Sequence, residues 1–79
     1  MALAQNEKEL AGRTARFLKA ELKRADVTYE ELARRLKEHG LEETRDSIAS
    51  KLKRGTFRAT FLLVCLAALE LDGVRLDDI

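Results

Sequence analysis

Apolar side chains recur at helical spacing in three stretches of the chain and fill a fourth almost completely. Leu10, Thr14, Phe17, Leu18 and Leu22 follow an i, i+4, i+7, i+8 stripe, with Arg13, Arg16, Lys19 and Lys23 on its flanks. That is the pattern of a helix with one buried face. Leu32, Ala33 and Leu36 make a second such face, and Ile48 with Leu52 a third. The fourth stretch, Phe57 to Leu71, has no formal charge between Ala59 and Leu69. Its apolar residues satisfy helical spacing on nearly every side, which predicts a central helix buried all round, with the one-sided helices laid about it. A bilayer crossing needs about 20 apolar residues, so the run is too short for a membrane span.

Local signals set the boundaries. Asn6, three residues before Glu9, reads as an N-cap. Thr28 and Glu31 read as a capping box, the hydroxyl accepting from the Glu31 N–H and the carboxylate reaching back to Thr28, with Val27 stapled against Leu32. His39 and Gly40 end the second helix, Thr44 caps the third, and Gly55 follows it. The predicted helices are 7–24, 28–38, 45–54 and 57–71. The fold class is all-α: a compact four-helix domain spanning 1–79, with a short C-terminal turn in which Leu76 and Ile79 cover the core.

Composition agrees. Seventy-nine residues, 46% hydrophobic and 37% charged, with no Pro, describe one small helical domain with a single core. The single Cys65 lies in the most apolar stretch and reads as a small buried hydrophobe in a reducing compartment. MALAQNEKEL has no basic region followed by a long apolar run, so no secretory signal is read and a cytoplasmic location is expected.

Net charge is +1, but it is distributed in blocks. Arg13, Arg16, Lys19, Lys23 and Arg24 stand against Glu21, and Arg45, Lys51, Lys53, Arg54 and Arg58 against Asp46. The stretches from Asp26 to Glu43 and from Glu70 to Asp78 are net acidic. If the two basic blocks fold onto one face, they form a positive patch that the overall balance conceals.

The third helix carries the candidate chemistry. Opposite Ile48 and Leu52 it presents Asp46, Ser47, Ser50, Lys53 and Arg54, with Arg45 and Lys51 on the flanks. A face that is polar, short-chained in the middle and cationic at its end suits hydrogen bonding to base edges with phosphate contacts alongside. Arg45, Ser47 and Ser50 are the candidate base-facing residues, and Lys53, Arg54 and Arg58 the candidate phosphate contacts. Glu42, Glu43 and Asp46 place negative charge near the start of this helix, where a phosphate would otherwise sit favourably.

Catalytic patterns are lacking. The neighbouring carboxylates Glu42 with Glu43, and Asp77 with Asp78, diverge on a helix. Gly12, Gly40, Gly55 and Gly73 are too scattered for a phosphate loop. Ser47 and Ser50 have no His to activate them, and the single His39 has no partner with which to hold a metal. A non-enzymatic domain without cofactor or metal is expected.

The order of elements, a basic helix, the capped TYEELARRL, a turn, the polar-faced SIASKLKRG and a long apolar helix, resembles the phage-repressor and Cro-like helix-turn-helix superfamily from about Phe17 to Ile79. Thr28 and Glu30 to Leu36 match the capped Glu-Glu-Leu-Ala-x-x-Leu helix of that family, and Arg54 with Gly55 its basic helix end. A closer similarity runs through KLKRGTFRATFLLVCLAAL to a family of short bacterial domains with no assigned function. The first resemblance implies a sequence-specific, transcriptional-regulator-like domain that binds duplex DNA as a homodimer. The alternative is a protein–protein interaction module on the same fold. One departure stands out: Ile48 lies 12 residues after Leu36, where the repressor pattern has about 7, so the connection Lys37 to Glu43 is longer than a tight turn.

Overall fold

The Asn6 carboxamide oxygen accepts from the Glu9 N–H at 2.8 Å and starts α1, Glu7–Arg24. Thr28 caps α2, Tyr29–Glu38, and Thr44 caps α3, Arg45–Arg54. Then come α4, Ala59–Ala68, and a short 3-10 turn, Leu76–Asp78. These elements belong to a computed structural model that describes residues 3–79. Among the described residues every regular element is helical, as the apolar periodicity predicts.

Two caps differ from expectation. The Glu31 carboxylate does not reach back to Thr28; it binds Arg34 and Arg35 instead, so α2 has the hydroxyl half of the box alone. The reciprocal box lies on α3. There Ser47 donates its N–H to the Thr44 hydroxyl at 3.0 Å, while the Ser47 hydroxyl accepts from the Thr44 N–H at 2.8 Å.

Three helices end alike. After α1, α2 and α4 the chain turns through a left-handed residue, Asp26 (φ 58°), Gly40 (φ 83°) and Glu70 (φ 60°). The next residue, Val27, Leu41 or Leu71, then donates its N–H back to Leu22, Leu36 or Leu66. This Schellman closure satisfies otherwise orphaned carbonyls and folds an apolar side chain back over the last turn. It also accounts for α4 being shorter than 57–71, since the left-handed Glu70 stops the helix. At the other end Phe57 stands before the helix, with its ring centroid 5.1 Å from that of Phe61. The connection between α2 and α3 is long but tethered: Leu41 packs on the core and Thr44 begins the next helix.

The core is shared more evenly than the sequence predicts. Leu18, Leu32, Leu36, Ile48, Leu52 and Cys65 are its fully enclosed side chains, drawn from all four helices. α2 packs against both α3 and α4, and α1 against α3. α4 is not buried all round: Phe61, Cys65, Leu66 and Ala68 point inward, but Leu63 is 61% exposed. The helix is apolar on both sides, yet a domain of this size covers one of them. At the C-terminus Leu76 is likewise exposed rather than covering the core, and Ile79 is half-buried. The tail is held by Arg13, whose guanidinium donates to the Ile79 backbone oxygen and, at 2.5 Å, to the Leu3 carbonyl.

Candidate nucleic-acid interface

α3 ends against the side of α1. Gly55 is buried in the left-handed conformation (φ 81°) and donates its N–H to the Lys51 carbonyl. A Cβ there would stand 3.4 Å from the Ala11 carbonyl oxygen, so the bare backbone lets the end of α3 approach α1 closely. Beside this contact runs an open groove of about 550 Å³, lined from α1 by Glu7, Lys8, Arg16 and Lys19 and from the end of α3 by Lys53 and Arg54. The two basic blocks of the sequence therefore converge on one face.

The charge there is not neutralised internally. Among the described residues, Arg13, Arg24, Arg34, Arg35, Arg45, Lys51 and Arg75 form ion pairs. Those are seven of the fifteen Lys and Arg side chains. Of the other eight, five line this groove (Lys8, Arg16, Lys19, Lys53 and Arg54), and Glu7 is its single carboxylate. Arg54 also donates to the Thr56 hydroxyl at 3.0 Å, which holds its guanidinium at the end of α3.

The outward residues of α3 fall into two groups. At its cationic end Lys53 and Arg54 are exposed, and Ser50 is exposed one turn before Lys53 and Arg54. At its start Ser47 is half-buried, with its hydroxyl engaged in the cap and donating to Glu43 at 2.6 Å. Arg45 is exposed and lies 3.5 Å from Asp46 and 3.9 Å from Glu30, long contacts in water that hold it weakly. Arg58 precedes α4 and does not line the groove. Lys51 turns inward, to Glu43 at 3.0 Å and over the Phe61 ring at 5.7 Å.

Sequence reasoning selected the α3 side of the groove and missed Lys8, Arg16 and Lys19 as site residues. Arg16 and Lys19 lie within the first basic block, so a signal existed, but which face of α1 meets α3 is a tertiary fact.

Other titratable groups have structural roles. Hydrogen bonds from Arg34 and Arg35 hold the Glu31 carboxyl down at about 2. Burial pushes the Cys65 thiol up to about 12, leaving it un-ionised at neutral pH. His39 is exposed at the end of α2. No cluster of metal-ligating side chains occurs among the described residues. No described helix is long and apolar enough to cross a membrane.

Residues 10–74 match the family described as "Domain of unknown function (DUF6471)", and the chain belongs to that family. The stretch KLKRGTFRATFLLVCLAAL lies within the matched span. No curated protein and no solved structure matches the chain.

Proposed function

We propose that this DUF6471 domain binds duplex DNA, as a sequence-specific, transcriptional-regulator-like helix-turn-helix domain with α3 as its reading helix. The observation that carries this reading is the groove between α1 and the end of α3, where five cations without internal ion pairs gather around one carboxylate. A polyanion with regularly spaced charges is the ligand such a surface suits, since each neutralised phosphate releases condensed counterions. The order of helices, which resembles that of the repressor and Cro-like superfamily, adds to this support, and a buried, un-ionised Cys65 fits a reducing cytoplasmic setting.

Roles follow from exposure. Lys53 and Arg54 contact phosphate from α3, while Lys8, Arg16 and Lys19 extend the contact along α1. Ser50 faces base edges, with Arg45 able to leave its long contacts and do the same. Ser47 orders the start of α3 through its cap and contributes to base reading little or not at all. Glu42, Glu43 and Asp46 exclude phosphate from that end, so the duplex backbone lies toward Lys53.

Selection of bound duplexes from a random-sequence pool tests this reading. Wild-type protein is expected to enrich a motif, Ser50→Ala to blur it, and Lys53→Ala to keep the motif while binding every duplex more weakly. No enrichment over the input pool would count against sequence-specific binding.

A further inference from the structure

The outer face of α4 has no counterpart within the fold. Ala59, Thr60, Leu63 and Ala67 are exposed and Val64 is half-buried, so an uncharged stripe runs the length of the helix. Along it the side chains read small, large, small about Leu63: Ala59 lies one turn before it and Ala67 one turn after. The stripe is therefore nearly the same in either direction. The ends differ in sign, with Arg58 exposed before the helix and Glu70 exposed after it.

We propose that this face is a homodimer contact, in which α4 of a second copy lies antiparallel with Leu63 against Leu63 across a two-fold axis. A two-fold interface must be self-complementary. This stripe is: Ala59 of each copy meets Ala67 of the other, and the small side chains let the helices approach around the central pair. Antiparallel packing brings the Arg58 end of each helix beside the Glu70 end of the other and opposes the two helix dipoles favourably. A parallel pair would bring like charges together at both ends. An unrelated apolar partner would fill the stripe but would leave its two-directional pattern without a role.

Size sets the strength. A ten-residue helix is about 15 Å long, and one such pair falls short of the roughly 800 Å² per partner of a stable interface. The dimer is thus weak when free. The inference stands independently of the DNA reading; where DNA is bound, two adjacent sites on one duplex would strengthen the pair through effective concentration.

Two measurements on the full chain test the contact. Sedimentation equilibrium of the wild type, from micromolar to millimolar, is expected to show mass rising toward twice that of the monomer. Leu63→Asp is expected to weaken dimerisation at least tenfold, with an unchanged helical spectrum because Leu63 is exposed; Ala67→Arg serves as a second variant should Leu63→Asp fold poorly. Under mild oxidation Leu63→Cys is expected to cross-link to itself, whereas Ala59→Cys cross-links with Ala67→Cys but not with itself. A wild type that stays monomeric throughout, a Leu63→Asp protein that still dimerises, or self-linking of Ala59→Cys would each overturn the proposal. The first would leave a different protein as the occupant, the second would locate the contact elsewhere, and the third would make the helices parallel.

Discussion

A Cβ added at Gly55 would meet the carbonyl oxygen of Ala11 at 3.4 Å, in a backbone conformation that side-chain-bearing residues seldom adopt. The single missing carbon lets the basic end of α3 rest against α1 and so assembles the groove. Gly55→Ala is expected to destabilise the domain by about 1–2 kcal/mol, from the left-handed strain together with the displacement of α1. Chemical denaturation measures it. An unchanged midpoint would show that α3 does not depend on this approach.

α4 supplies a contrast between two leucines three residues apart. Leu66 is 4% exposed and Leu63 is 61% exposed. Leu66→Ala is expected to lower stability by about 2–5 kcal/mol, and Leu63→Ala, measured on the monomer, by no more than about 0.5 kcal/mol. Equal losses would mean that the helix is enclosed on both sides.

Asp26 occupies the left-handed position that closes α1, where Gly40 stands at the end of α2. Asp26→Gly is expected to raise stability by about 0.5–1 kcal/mol by removing the steric penalty on Cβ. The Asp26 side chain is exposed, so little else is lost. A lower melting temperature would contradict this reading of the turn.

Acid should weaken α2 in a defined window. The Glu31 carboxyl sits at about 2 when folded, below the ordinary value of 4.5, because Arg34 and Arg35 hydrogen-bond its charged form. A depressed carboxyl contributes stability that is fully present above about pH 4.5 and is lost as pH falls toward 2. Glu31→Gln is expected to reduce stability at neutral pH and to flatten the decline between those values. Its backbone cap from Thr28 is retained, since that bond uses the Glu31 N–H. Parallel pH profiles for the two proteins would show that the ion pairs contribute nothing, as exposed pairs often do.

Much of this architecture is legible in the residues, because its determinants are local. Asn6, Thr28 and Thr44 start helices and Gly40 and Gly55 stop them through bonds within a few residues. The end of α4 was harder to read because Glu70, not Gly, takes the left-handed position; its signal is the leucine pair Leu66 and Leu71, five apart like Leu36 and Leu41. Ser47 was read as base-facing because a hydroxyl on the outer side of a helix is equally compatible with capping, and Glu43 decides for the latter. Whether α4 was enclosed could not be read from its own pattern, since a helix apolar all round is silent about how many sides its neighbours cover. For the groove, the two basic blocks were visible, but their meeting depends on the contact of Gly55 with α1.

The salt dependence of binding to a duplex of arbitrary sequence tests DNA binding most directly. With five groove cations able to neutralise phosphates at about 0.9 each, log affinity is predicted to fall against log salt with a slope of up to about −4.5. The double variant Arg16→Ala with Lys53→Ala, one residue from each wall, should flatten that slope by about 2. Absence of binding even at low salt, where screening is weakest, would contradict the assignment of this groove to DNA.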